Sequence, residues 1–117
     1  MGKLSHEEKS IEQRLSESRE ILLKYPDRIC IYVEKSKSCK LLCDLKKKKY
    51  LVPSNITMAQ FIFVIRSKIN VSKETALFFH INNKSISSNS LMSELNDKYK
   101  HEDGFLYIKY TGENCFG

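Results

Sequence analysis

The sequence closes on GENCFG, a polar turn-forming run, one aromatic and a glycine carrying the α-carboxylate. Activating a carboxylate for acyl transfer needs an accessible carbonyl carbon. Glycine offers one, because it has no Cβ and tolerates extended or unusual dihedrals. Gly117 is therefore a candidate electrophile, although an isolated terminal glycine is no motif and needs support from the rest of the chain. The other chemistry-bearing residues group poorly. Cys39 and Cys43 lack a second ligand pair at zinc spacing, and His6, His80 and His101 are scattered. Spacing leaves open a Cys–His pair formed only by the fold. No catalytic residue, metal site or cofactor is expected, and Cys115 reads as a small exposed residue prone to oxidation.

Such a terminus must be presented by a body, and 117 residues with 41% hydrophobic content suffice for one modest core. A net charge of +6 favours acidic peptides, anionic membrane surfaces or nucleic acid. The cysteines are irregularly spaced, no secretory apolar region opens the chain, and no apolar run approaches the roughly 20 residues that span a bilayer. A reducing, cytoplasmic setting is expected. The sequons at Asn55, Asn70 and Asn83 then read as chance matches. Gly2 is followed by His6 where a myristoylation signal has Ser or Thr, and Cys115 is misplaced for prenylation.

The elements follow from periodicity. SIEQRLSESREILLKYP places Ile11, Leu15, Leu22 and Tyr25 on one helical face, with Ile21 and Leu23 filling in, up to Lys24 before Pro26; a short helical turn around HEEK precedes it. RICIYVEK alternates as a strand, and KKYLVP is a second strand closing on Pro53, which suits an edge. TMAQFIFVIRSKI opens with Thr57 and Gln60 at capping-box spacing and is a helix. ALFFHIN is a strand, NNK a turn, SLMSELNDKYK a short helix with Leu91, Leu95 and Tyr99 stacked, and GFLYIKYT a last strand. Two N-terminal helices followed by β-β-α-β-α-β predict an α+β fold, a β-grasp with the last strand in the middle of the sheet; a ferredoxin-like sandwich also suits the order.

KYPDRICIYVEK, KKYLVPSNITMAQFIFVIRSKI and LMSELNDKYKHEDGFLYIKYTGENCFG resemble the autophagy-related ubiquitin-like modifiers, the family of the GABA-type-A receptor-associated protein and microtubule-associated light chain 3. The likeness runs from about Ile11 to Gly117, with one extra residue in the loop before Tyr50. It implies a ubiquitin-like β-grasp with two additional N-terminal helices. Residues 1–26 would form the helical subdomain, 27–111 the β-grasp core and 112–117 a flexible tail, with Tyr110 to Phe116 as its reach and Phe116 as a handle for enzymes. It further implies activation of Gly117 by an E1-like enzyme, transfer to an E2-like conjugating enzyme, amide linkage to phosphatidylethanolamine, and release by a deconjugating cysteine protease. The lipidated form would sit on autophagosomal or other organelle membranes and recruit cargo receptors and adaptors. The alternative is an unconjugated adaptor.

The edge strand KKYLVP offers unpaired backbone to an extended peptide. By resemblance, an aromatic-x-x-aliphatic peptide would place its aromatic residue among Glu17, Ile21, Cys30, Tyr32, Lys49, Leu51 and Phe105. Its aliphatic residue would lie among Tyr50, Val52, Pro53, Phe61, Val64, Ile65 and Lys68. For Phe61 and Ile65 an ordinary core role competes with that assignment. Leu51 and Val52 point to opposite faces of their strand. Cys30 stands where the family usually has proline, Tyr32 where it has a smaller aliphatic, and Lys68 where it has arginine, so the peptide preference should be altered. Phe78 and His80 would form a second docking face. Lys35, Lys37, Lys40 and Lys46 to Lys49 read as a solvated run that could steer acidic peptides or touch anionic headgroups. Without a base-stacking platform, nucleic acid is not expected as a partner. The protein is expected to be a monomer in solution.

Overall fold

The computed structural model describes residues 4–37, 39, 45–69, 71–72 and 74–112. Helix α1 spans Ile11–Lys24 and β1 spans Arg28–Lys35. Then come β2 (Lys49–Pro53), α2 (Met58–Lys68), β3 (Leu77–Ile81), β4 (Lys84–Ser85), α3 (Met92–Tyr99) and β5 (Leu106–Gly112). Of the two N-terminal helices expected, the second is α1. The first is a single turn in which Glu8 N and Lys9 N both donate to Ser5 O.

Local chemistry sets the boundaries. Thr57 caps α2 and exchanges backbone and side-chain bonds with Gln60, and Ser10 does the same with Gln13 at the start of α1. Asn82 and Asn83 take positive φ values of 52° and 63°, the left-handed pair that a tight hairpin needs, and so join β3 to the short β4.

The five strands run β2-β1-β5-β3-β4, with β1 antiparallel to β2 and parallel to β5. The last strand thus enters the middle of the sheet, which is the β-grasp arrangement and excludes the sandwich alternative. Tyr110, Thr111 and Gly112, expected in the C-terminal reach or tail, instead belong to β5: Tyr110 and Thr111 are buried and Gly112 ends the strand opposite Leu77.

One face of the sheet carries the main core. Ile29, Ile31, Val33, Phe79, Ile81, Leu106, Ile108 and Tyr110 pack against Met58, Phe61 and Ile65 of α2 and Met92 and Leu95 of α3. The opposite face holds a smaller cluster of Cys30, Tyr32 and Phe105, against which Ile21, Leu22, Leu51 and Tyr107 are packed. Because both faces are covered there, Ile29 to Val33 are buried without a break.

Helix α1 turns inward only part of the face its periodicity suggested: Leu15, Ile21 and Leu22 are half-buried, with Ile21 and Leu22 against the smaller cluster, but the rest is not. Ile11 and Tyr25 are exposed and Leu23 is 85% exposed, whereas Ser18 is 1% exposed. A small residue sits at the crossing because the backbone of Gly104 passes beside it. Ser18 Oγ donates to the Asp103 carbonyl oxygen at 2.8 Å.

Candidate functional site

Strand β2 is the edge of the sheet, and among the described residues no strand pairs with its outer side. Its side chains alternate between two apolar surfaces. Leu51 packs on the smaller cluster beside α1, and Val52 packs on the main core beside α2. Both are half-buried, each on its own side, because the sheet is covered on both faces around β1 and β2. An extended chain laid along β2 would therefore find one surface on either side of its backbone.

The residues assigned to an aromatic pocket do come together. Cys30 pairs with Leu51 across the ladder and Tyr32 with Lys49, while Tyr107 stands beside Tyr32 on β5. Cys30, Tyr32 and Phe105 are nonetheless buried, and Ile21, Leu51, Glu17 and Lys49 are half-buried. Burial, with Glu17 nearby, raises the Cys30 thiol pKa, so it packs as a neutral apolar group.

What covers them is the turn before α1. The His6 imidazole lies nearly parallel to Tyr32 at 4.2 Å and edge-on to Phe105 at 4.8 Å. Contacts of this kind contribute about 1 kcal/mol beyond simple burial. Tyr107 Oη donates to Asp103 Oδ2, so its oxygen is left to accept the Nε2–H of His6 at 2.7 Å. The proton therefore sits on Nε2, and Nδ1 is buried without a hydrogen-bond partner among the described residues. Charging that nitrogen is costly. Burial first, then the Lys49 and Arg14 charges, lower the His6 pKa to about 4, against smaller opposing effects of Asp103 and Glu17. Next in sequence, the Glu7 carboxylate accepts from Tyr32 Oη, and this bond lowers the Glu7 pKa.

Charges rim the pocket. Lys49 and Lys9 each reach Glu17 at 2.8 Å, bridging β2, α1 and the N-terminal turn. Burial alone would raise the Glu17 pKa, but the hydrogen bonds and charges of Lys49 and Lys9 outweigh it and the net shift is downward.

The aliphatic set divides. Phe61 and Ile65 are completely buried and Tyr50 nearly so, with Tyr50 edge-on to Phe61 at 6.1 Å. These three belong to the core, so Phe61 and Ile65 present no surface to a peptide; the core role wins because their helix face lies directly on the sheet. Val52 and Pro53 are half-buried, while Val64 and Lys68 are exposed on α2. Phe78 and His80 share the face of β3 opposite Phe79 and Ile81, paired with Thr111 and Lys109 of β5. Gly117, Cys115 and Phe116 lie outside the described residues.

Several contributors carry no local sequence signal, above all His6, Arg14, Ser18 and Asp103. The Asp103 side chain is completely buried, accepts from Phe105 N at 2.9 Å and pairs with Arg14 Nε at 3.0 Å. It anchors α1 to the strand that supplies the pocket's rings. Only the DGFLY run hinted at it.

Residues 13–117 match the family model described as autophagy protein Atg8, ubiquitin-like. This chain belongs to the Atg8 family. It is 47% identical over 108 residues to autophagy-related protein 8 of Schizosaccharomyces pombe, covering 92% of this chain and 88% of that protein. With autophagy-related protein 8a of Arabidopsis thaliana the identity is 46% over 107 residues, covering 92% and 87%. The crystal structure of Trypanosoma brucei ATG8 superposes with a TM-score of 0.88 at 38% identity, covering 98% of this chain and 100% of that one. Plasmodium falciparum Atg8, solved in complex with a Plasmodium falciparum Atg3 peptide, gives 0.82 at 33% identity, covering 95% and 96%. The Atg8-family chain is thus an autophagy-related, ubiquitin-like protein with an α+β fold, and membership in a family of modifiers sets its class apart from enzymes. Among its described residues no helix is long and apolar enough to cross a membrane.

Proposed function

We propose that this Atg8-family protein is a modifier conjugated through Gly117 to phosphatidylethanolamine, and that on autophagosomal or related membranes it recruits cargo receptors and adaptors through the β2 edge. Supporting this reading is the match over residues 13–117, which includes the terminal glycine, in a chain whose edge strand lies between two apolar surfaces. An E1-like enzyme would adenylate the Gly117 carboxylate and pass the acyl group to its own thiol and then to that of an E2-like enzyme. The lipid amine would then displace the thiolate; a cysteine protease would reverse the linkage. The modifier contributes an unhindered carbonyl carbon and a docking surface rather than a catalytic group. Residues 113–117 would serve as the reach beyond β5.

The groove reading supposes β-augmentation. A peptide strand would pair with β2, its aromatic residue directed toward Cys30, Tyr32, Leu51 and Phe105 and its aliphatic residue toward Val52, Pro53 and Val64. The complex of Plasmodium falciparum Atg8 with an Atg3 peptide suggests that the E2-like partner could use a comparable surface here. Phe78 and His80 remain a proposed second docking face.

A Gly117→Ala variant tests conjugation: the lipid-linked species and membrane association in cells should both disappear, and their survival would leave the unconjugated adaptor as the better reading. Titration of an aromatic-x-x-aliphatic peptide against Leu51→Ala tests the groove, where undiminished affinity would rule it out.

A further inference from the structure

Building on the groove reading, we propose that His6 is a resident occupant of the aromatic pocket, and that a peptide's aromatic side chain enters by exchanging with it, ring for ring. The imidazole already holds the surface such a ring would need, parallel to Tyr32 at 4.2 Å and edge-on to Phe105 at 4.8 Å, and is only 6% exposed. The segment carrying it is built to leave. Residues 5–9 form one turn, held by the bonds to Ser5 O, by Glu7 with Tyr32, by Lys9 with Glu17, and by Arg14 Nη1 donating to the His6 carbonyl oxygen at 3.3 Å. Leu4 before it is exposed, and among the described residues the main core contains none earlier than Ile29. Lifting the turn thus uncovers Tyr32 and Phe105 while the β-grasp stays packed.

The exchange carries a proton. Docked, His6 faces Tyr32 of β1, Lys46 to Lys48 before β2 and Lys49 within it, Arg14 and Glu17 of α1, and Asp103 and Tyr107 at β5, with Glu7 beside it on its own segment. Nδ1 has no hydrogen-bond partner among the described residues, and burial with the two cations Lys49 and Arg14 holds the imidazole neutral, its pKa lowered to about 4 from the ordinary 6.5. A peptide that ejects the ring restores the ordinary value, so binding takes up a proton between these two limits. The sign is fixed: acidification favours the released ring and therefore the peptide. From pH 7.5 to 5.5 the affinity should rise about tenfold, the proton uptake integrated between the two values.

The test is calorimetric titration of the full-length protein with an acetylated, amidated peptide carrying Trp-x-x-Leu and no Asp, Glu or His, at pH 7.5 and 5.5. Wild type should show the acid-side gain. His6→Ala should bind about tenfold tighter than wild type at pH 7.5, having no stacked and hydrogen-bonded ring to displace, and should not respond to pH. His6→Phe keeps a ring in place and should also lose the pH response. In parallel, NMR titration of the His6 ring should give a midpoint near 4 in the free protein and near 6.5 in the complex. A weaker or unchanged His6→Ala, a pH-independent wild type, or a free-protein midpoint already near 6.5 would overturn the exchange while leaving the groove intact. If none of the three proteins bound the peptide while His6 still titrated near 4, the groove reading itself would fall, and the exchange with it.

Discussion

A β-carbon placed on Gly104 would sit 2.2 Å from Ser18 Oγ, closer than any two such atoms can rest. The two residues are the point at which α1 is pressed onto the sheet, and Gly104 holds a φ of +85° that side-chain-bearing residues rarely adopt. Helix α1 supplies one wall of the aromatic pocket, so this contact sets the width of the site.

Gly104→Ala should cost about 3 kcal/mol in denaturant unfolding, combining backbone strain with overpacking. Adding Ser18→Gly should recover the steric share and leave the strain. Equal loss in the single and double variants would mean that the close approach is not what selects glycine.

Asp103→Ala should destabilise the protein by about 3 kcal/mol, because it strands the Arg14 guanidinium and leaves Phe105 N and Tyr107 Oη without their acceptor. The loss should shrink when Arg14→Met is added. A double-mutant cycle on thermal or urea unfolding reads the coupling directly.

Acid should loosen the region around the pocket in two stages. The docked His6 pKa lies below its ordinary value, so its contribution is complete above about pH 6.5 and is lost as pH falls toward about 4, by at most about 3 kcal/mol. Glu17 has a lowered pKa as well, so its ion pairs with Lys49 and Lys9 contribute above the ordinary value of 4.5 and fail below it. Hydrogen exchange of α1 amides against pH should show the first stage missing in His6→Ala and the second in Glu17→Gln. A single stage common to all three proteins would contradict the separation.

Phe61→Ala and Val64→Ala should behave oppositely although the two residues are neighbours on α2. Phe61 is fully buried and its truncation should cost about 4 kcal/mol of stability. Val64 is 40% exposed, and its truncation should change stability by less than about 1 kcal/mol while weakening a peptide's aliphatic contact. Unfolding curves and peptide titration of both variants separate core from surface.

Much of this protein is written locally. The Thr57–Gln60 capping box, the Asn82–Asn83 turn, the alternation of Phe78 and His80 against Phe79 and Ile81, and the order of the longer strands and helices each depend on a few adjacent residues and can be read from the chain, whereas the two-residue β4 is too short to leave a periodic signal. Family resemblance added the pairing of an edge strand with a terminal glycine. Tertiary structure alone decided the rest. Ser18 rather than Ile11 or Tyr25 faces inward because Gly104, far along the chain, comes to meet it; Phe61 and Ile65 became core because α2 lies flat on the sheet. His6 filled the aromatic pocket because Tyr32 of β1, Tyr107 of β5 and Phe105 just before β5 converge, a meeting of distant segments that helical and strand periodicity, which extend only a few residues, cannot encode.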